Sequence, residues 1–324
     1  MSLIDVSKEG DPAPLVRIFG WSMLAVLVAF LINNVLTVGY GYPGVRAGFS
    51  GGGLVQIAIY VVALAAVVGF VLRTPFRSLR WDARRISSFN AYLIRAFFFT
   101  VLFVGIADAA IAFMRVEKLL AIFVSDDMVR AMGRARDVGV MVHYPLIALA
   151  FIVALFSRTL GFHWLALLIV GAELAIVISR FVFSYEQALM GDLVRYWYAA
   201  LFLFASAYTL LEEGHVRVDV LYAGFGQTTR GFVNAWGAIL LGMTTAWVII
   251  AIGFAGRQSI INSPVVNFEV SQSGPAGMYT KYQMAAFIGI FAITMLIQFV
   301  SALFESVADW RDEPGHRDVA PAGH

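Results

Sequence analysis

YWYAALFLFASAYTLLEEGHVRVDVLY, residues 196–222, joins two environments that do not mix. Its first sixteen residues carry no charge and suit the interior of a lipid bilayer. The next eight hold Glu212, Glu213, His215, Arg217 and Asp219, which need water, headgroups or a partner. A helix needs about 20 apolar residues to cross a hydrocarbon core of roughly 30 Å. The stretch therefore reads as the end of a membrane helix followed by a charged joint.

The chain around it has the same character. Of 324 residues, 60% are hydrophobic and 14% charged, where a soluble domain has about a quarter charged. The mean hydropathy is +0.80. A net charge of +2 and the lack of a basic tail speak against a nucleic-acid partner. The absence of cysteine excludes disulfides, thiolate metal sites and cysteine nucleophiles. The opening MSLIDVSKEGDPAP is mixed in charge and runs into an apolar stretch without a small-residue cleavage site, so it reads as a tail before a first membrane helix.

Eight segments are long and apolar enough to span: 15–38, 53–73, 90–114, 138–157, 161–184, 193–211, 233–256 and 283–307. No alternating pattern of period two recurs, which argues against a membrane barrel. The expected fold is an all-α polytopic integral membrane protein of about eight transmembrane helices, with a short interfacial helix after the sixth. Basic residues orient it. Arg73, Arg77, Arg80, Arg84 and Arg85 fill the loop after the second span, and Arg158, Arg217 and Arg230 mark later loops on the same side. The loop YEQALMGD has only the acids Glu186 and Asp192. Both termini are thus expected in the cytoplasm. Segment 115–137, with five basic residues on the opposite side, reads as an amphipathic interfacial helix. The long external loop 257–282 is rich in turn formers and reads as ordered in short pieces.

Chemistry-bearing residues are few. His143 and His163 lie in neighbouring spans, but near opposite ends, which suits hydrogen-bonded or interfacial histidines better than paired haem ligands. Asp108 falls deep in the third span, and Glu173 and Arg180 lie seven apart on one face of the fifth. An ionised side chain at such depth costs about 2.5–3.5 kcal/mol on insertion scales and normally faces a partner or a cavity. These residues could serve a proton or ion relay, or hydrogen bonds between helices or subunits; a lone aspartate without further carboxylates favours the second. No phosphate loop, nucleophile elbow or three-ligand metal cluster is present in the sequence, and no catalytic residue or cofactor is expected. Trp164, Tyr196, Trp197 and Trp310 suit an interfacial aromatic belt.

The segment SRFVFSYEQALMGDLVRYWYAALFLFASAYTLLEEGHVRVDVLY, 179–222, resembles the small permease (Q subunit, DctQ-like) of tripartite ATP-independent periplasmic (TRAP) transporters. The resemblance rests on Arg180 followed by an aromatic, Asp192 before the next helix, and the sequence Gly214–Tyr222. It covers roughly 161–308, a four-helix small-permease-like domain. Residues 15–160 are then an N-terminal extension of about four helices, and 1–14 and 309–324 are cytoplasmic tails. The family pattern usually has two glycines before the histidine, and here only Gly214 stands there. The resemblance implies a multi-pass protein of a bacterial inner membrane. It would serve as a scaffold subunit for a large elevator-type permease (M subunit) that carries the substrate and sodium sites. A periplasmic substrate-binding protein would deliver an organic acid. Alternative readings are a self-contained transporter or channel, and a haem-bearing membrane anchor of a redox complex. Candidate partner or lipid contacts are Arg180, Asp192, Glu212, Glu213, His215, Arg217 and Asp219. Gly214 suits the left-handed end of a helix, and Arg217 beyond it could reach a lipid phosphate or a partner carboxylate. A self-contained salt-bridge cluster that fixes topology is the plainer alternative.

Overall fold

The computed structural model describes residues 7–49, 51–157, 162–211 and 222–316. Among them, eight helices are long and apolar enough to cross a bilayer. They are α1 (Pro14–Tyr40), α2 (Gly52–Arg73), α3 (Leu79–Val116), α4 (Ala135–Phe156), α5 (His163–Phe183), α6 (Ala188–Leu210), α7 (Gln227–Gly253) and α8 (Lys281–Trp310). The described residues form no β-strand, only an isolated antiparallel bridge between Glu9 and Arg77. Each expected span is matched by one helix, so the all-α polytopic reading holds. The interfacial helix expected after the sixth span falls on residues outside the described ones.

Two local expectations are corrected. Helix α3 begins at Leu79 and not near 90, so Arg80, Arg84 and Arg85 are helical and only Thr74–Ser78 remain as loop. Its 38 residues measure about 57 Å at 1.5 Å per residue, far more than the hydrocarbon core. Hydropathy registers only the apolar part of such a helix, while Asp82 in its first turn suits the positive end of the helix dipole. Segment 115–137 is not one amphipathic helix. It forms two short helices, Leu120–Phe123 and Asp126–Met132, broken by extended backbone at Val124 and Arg134. Tertiary partners take the carbonyls that a continuous helix would use: Arg115 donates to Met132 O at 3.2 Å, and the Tyr279 hydroxyl to Gly133 O at 2.9 Å.

The chain gathers into two compact units, one of residues 1–90, 209–258 and 292–324, the other of 91–208 and 259–291. In the first, α8 is the packing centre. Ser87 and Ser301 share a hydrogen bond of 2.7 Å, Gln298 donates to Ser87 at 3.1 Å, and Asn90 donates to Thr294 O at 2.9 Å. Phe30 of α1 meets Trp247 of α7 edge-on at 6.1 Å. In the second unit, α3, α4, α6 and the start of α8 share an aromatic core. Phe97 meets Phe151 at 5.6 Å, Phe98 meets Phe204 at 5.8 Å, and Phe204 meets Phe287 at 4.9 Å. The long loop before α8 is indeed ordered in pieces, with helical turns at Asn262–Asn267 and Gly274–Ala276.

One contact in the first unit requires glycine. A Cβ on Gly231 of α7 would lie 2.4 Å from Trp310 N and 2.7 Å from Ser306 O, so the two backbones touch. Main chain cannot yield as a side-chain tip does. Gly231→Ala is expected to lose about 1–3 kcal/mol through overpacking. Gly171→Ala, which meets nothing within 4 Å, is expected to be neutral. Apparent melting temperatures in detergent, followed by tryptophan fluorescence, compare the two.

Candidate functional site

Asp108 is fully buried in α3, at 0% exposure, and its neighbours account for it. Its Oδ2 accepts the Tyr279 backbone N–H at 2.7 Å, and its Oδ1 lies 3.2 Å from His143 Nε2. His143 reaches it because α4 opens into a π-helical turn at Gly139–His143, a bulge often found where a side chain must be re-aimed. On its other side, His143 Nδ1 lies 2.9 Å from the Tyr282 hydroxyl. That hydroxyl accepts from Gln283 Nε2 at 3.0 Å, and the buried Tyr196 hydroxyl donates to Gln283 Oε1.

Both ring nitrogens of His143 are engaged, one by the Tyr282 hydroxyl and one by Asp108, and both Asp108 oxygens have a partner. His143 is thus hydrogen-bonded on both sides, and Asp108 links α3 to α4 and to the backbone just before α8. The arrangement offers no free nucleophile; it is a closed polar lock joining α3, α4, α6 and α8. Among the described residues, no group of three His, Cys, Asp or Glu side chains could hold a metal ion.

Asp192 performs a similar task beside the external loop. It is buried, accepts from Met278 N at 3.1 Å and from Ser271 Oγ at 3.2 Å, and lies 3.6 Å from Arg195. Gly277 permits this approach, since a Cβ there would sit 2.4 Å from Asp192 Oδ2. Arg115 clamps the same loop through Pro275 O at 2.7 Å and Gly277 O at 2.6 Å. Burial pushes the Tyr279 phenol up, and the Arg115 guanidinium 4.0 Å from its ring centre pulls it back.

The first unit holds two arginine hubs that sequence reasoning missed. Arg17, 0% exposed in α1, donates to Asp82 Oδ2 at 2.9 Å and to Thr74 Oγ1 at 3.0 Å, and Trp21 adds a second donor to Asp82 at 3.0 Å. Arg80 donates to Glu305 at 2.9 Å, Asp309 at 2.8 Å, and the carbonyls of Glu313 and Pro314. Burial pushes the Glu313 carboxyl up, opposed by Arg311 and Arg80. The signal for Arg17 was an arginine a few residues into the first apolar span, followed four residues later by a tryptophan.

The remaining candidates do not converge. Arg180 is exposed and 3.4 Å from Glu186. Glu173 is exposed, and none of the described residues pairs with it. Glu212, Glu213, His215, Arg217 and Asp219 lie outside the described residues, as does Gly214. Trp164 and Trp310 are exposed as a belt requires, but Tyr196 and Trp197 are buried, which corrects their assignment to it. Their aromatic faces fill the α3–α6–α8 core, where the Trp197 indole donates to Val101 O at 3.2 Å.

Residues 168–309 match the family model described as the DctQ component of tripartite ATP-independent periplasmic transporters. No curated protein and no solved structure matches the chain. The matched segment contains Asp192, Tyr196, Tyr282 and Glu305. Asp108, His143 and Arg80, which complete their polar networks, come from residues before it.

Arg17→Ala would leave Asp82 as a buried, uncompensated charge and is expected to cost about 3–5 kcal/mol. Arg130→Ala breaks only the exposed pair with Asp127 and is expected to cost about 1 kcal/mol or less. Asp108→Ala orphans two buried donors at about 1–3 kcal/mol each. A double-mutant cycle with His143→Ala is then expected to be non-additive, since both act in one chain. Thermal unfolding in detergent measures all four.

Proposed function

We propose, from the match of residues 168–309 to the DctQ component of TRAP transporters, that the chain is the small membrane subunit of a sodium-coupled symporter for organic acids. It serves as the fixed scaffold for a large elevator-type permease, and a periplasmic binding protein supplies the substrate. It lies in a bacterial inner membrane with both termini cytoplasmic, the side favoured by Arg73, Arg77, Arg80, Arg84 and Arg85. The family match carries this reading, and sodium coupling, substrate class and scaffold role follow from the resemblance.

Two structural features support a bracing role within a larger assembly. The intramembrane polar groups Asp108, His143, Tyr282 and Gln283 satisfy one another, as suits a part that holds still. Helix α5 is the reverse. Only 6% of its most apolar stretch is buried, against 61% for α8. Glu173 sits in the middle of it, ten residues from each end (163 to 173, 173 to 183), or about 15 Å of helix either way. An acid at that depth, unpaired among the described residues, suits a partner in another subunit.

The test is co-expression with a large permease encoded beside this gene. Stable co-purification in mild detergent is expected, with loss of organic-acid uptake when the small subunit is deleted. A chain that runs alone, together with uptake unchanged by its deletion, would overturn the proposal. Glu173→Leu is expected to weaken association by about 1–2 kcal/mol, the range for polar contacts between membrane helices, or roughly tenfold. Arg217→Ala is expected to reduce complex yield or uptake while leaving the melting temperature of the isolated chain unchanged.

A further inference from the structure

Helices α1 and α2 enclose a groove whose two ends differ in chemistry. At one end lies a hollow of about 560 Å³, walled by Ala25, Val28, Ala63, Ala66 and Val67, with Trp21 and Phe70 beside them. Arg77, Asp82 and Arg85 form its mouth. A second hollow of about 430 Å³ shares Val28 and Ala63 with the first and continues to Ile32 and Val55, with only apolar residues on its walls. The two make one furrow. From Trp21 to Ile32 on α1 is eleven residues, about 17 Å of helix. That matches one leaflet of the hydrocarbon core, about 15 Å deep. Alanines at the facing positions keep the side chains of the two helices from closing it.

The mouth is positive despite the presence of Asp82. That carboxylate is already taken by Arg17 at 2.9 Å and by the Trp21 indole at 3.0 Å. Arg17 in turn is spent on Asp82 and Thr74. Arg77 lies over the Phe70 ring, 5.4 Å from its centre, a contact that orients the guanidinium without neutralising it. Arg85 is exposed on the first turns of α3. Among the described residues no acid pairs with either arginine. Arg77 lies four residues beyond the end of α2, at the level where headgroups meet the hydrocarbon.

We propose that this furrow is a binding site for an anionic phospholipid, with its phosphate at Arg77 and Arg85 and one acyl chain along the wall shared by α1 and α2. Forked guanidinium donors suit phosphate oxygens, and the alanine-lined wall offers nothing polar to any other part of the ligand. The occupant is a lipid and not a free anion because most of the lining is apolar. It is a lipid and not a helix because the apolar length matches one leaflet and only its mouth is polar, with two arginines that no described acid neutralises. The site lies entirely in the part of the chain before the DctQ-matched segment, and it gives those first helices a task independent of any partner subunit.

The full chain, purified in mild detergent, is offered equal amounts of dioleoyl phosphatidylglycerol and dioleoyl phosphatidylcholine and examined by native mass spectrometry. Preferential retention of phosphatidylglycerol is expected. Arg77→Gln and Arg85→Gln are each expected to reduce that preference about fivefold, the scale of one basic residue at an anionic surface. Neither arginine makes an ion pair among the described residues, so both variants are expected to keep the wild-type melting temperature. Ala63→Phe fills the furrow and is expected to reduce retention of both lipids. Phosphatidylglycerol bearing brominated acyl chains is expected to quench wild-type tryptophan fluorescence more than that of Trp21→Phe. Equal retention of the two lipids by the wild type would overturn the proposal, as would an unchanged preference in the double arginine variant. Displacement of lipid by millimolar inorganic phosphate would make it an anion site and overturn it too. So would loss of the bound lipid when a permease subunit co-purifies, since the furrow would then belong to a protein helix.

Discussion

Inside a bilayer, apolar side chains gain nothing by leaving lipid for one another, so helices are held together by close packing and by polar groups that have no water to turn to. In this chain the constraint is met at α8. Ser87, Asn90, Gln298 and Ser301 exchange hydrogen bonds at 2.7–3.2 Å, and Ser301 also donates to Ala83 O at 2.8 Å. Each of these groups, facing lipid, would cost free energy; facing each other, they fix the register of α8 against α3. Phe299 and Phe304 of the same helix can then meet glycines on α7 and α1. The edge-on contact of Trp310 with Phe232 of α7, at 5.1 Å, depends on that register.

The same constraint explains where the charges go. Arg17 and Asp82 are both buried and would each be expensive alone; together with Thr74 and Trp21 they neutralise and saturate one another. Arg80 meets Glu305 and Asp309 in the same way at the end of α8. In the second unit, Asp108 uses a histidine and a backbone amide. These solutions draw on residues both before and within the segment matched to the DctQ family. The polar groups of the matched helices are therefore completed by the helices that precede them.

Much of this was legible in the sequence, for a physical reason: twenty apolar residues in a row have few fates, so all eight spans could be read. Asp108 was legible as a cost that something must meet. What met it was not. His143 is 35 residues away, and Tyr282 lies 139 residues further on than His143. A π-turn at Gly139–His143, invisible in hydropathy, sets which way the imidazole points. The start of α3 was misplaced because arginines lower hydropathy without breaking a helix. Tyr196 and Trp197 were assigned to a belt because aromatic residues near a span end fit the interface and the core equally well by composition. Arg17 was overlooked because a single charge near the start of a span resembles an ordinary flank.

Asp108 and Glu173 show how burial and pairing, more than residue type, separate the two roles that membrane acids take here. Both lie well inside apolar helices. Asp108 is enclosed and hydrogen-bonded at both oxygens by its own chain, so moving it would orphan a histidine and a backbone amide. It resists displacement and braces the helices around it. Glu173 is exposed on a helix that buries almost none of its surface, and no described residue pairs with it. An isolated subunit bears that cost, and a partner helix with a donor at the same depth removes it. The free-energy difference between those states is what an assembly can use to select its partner.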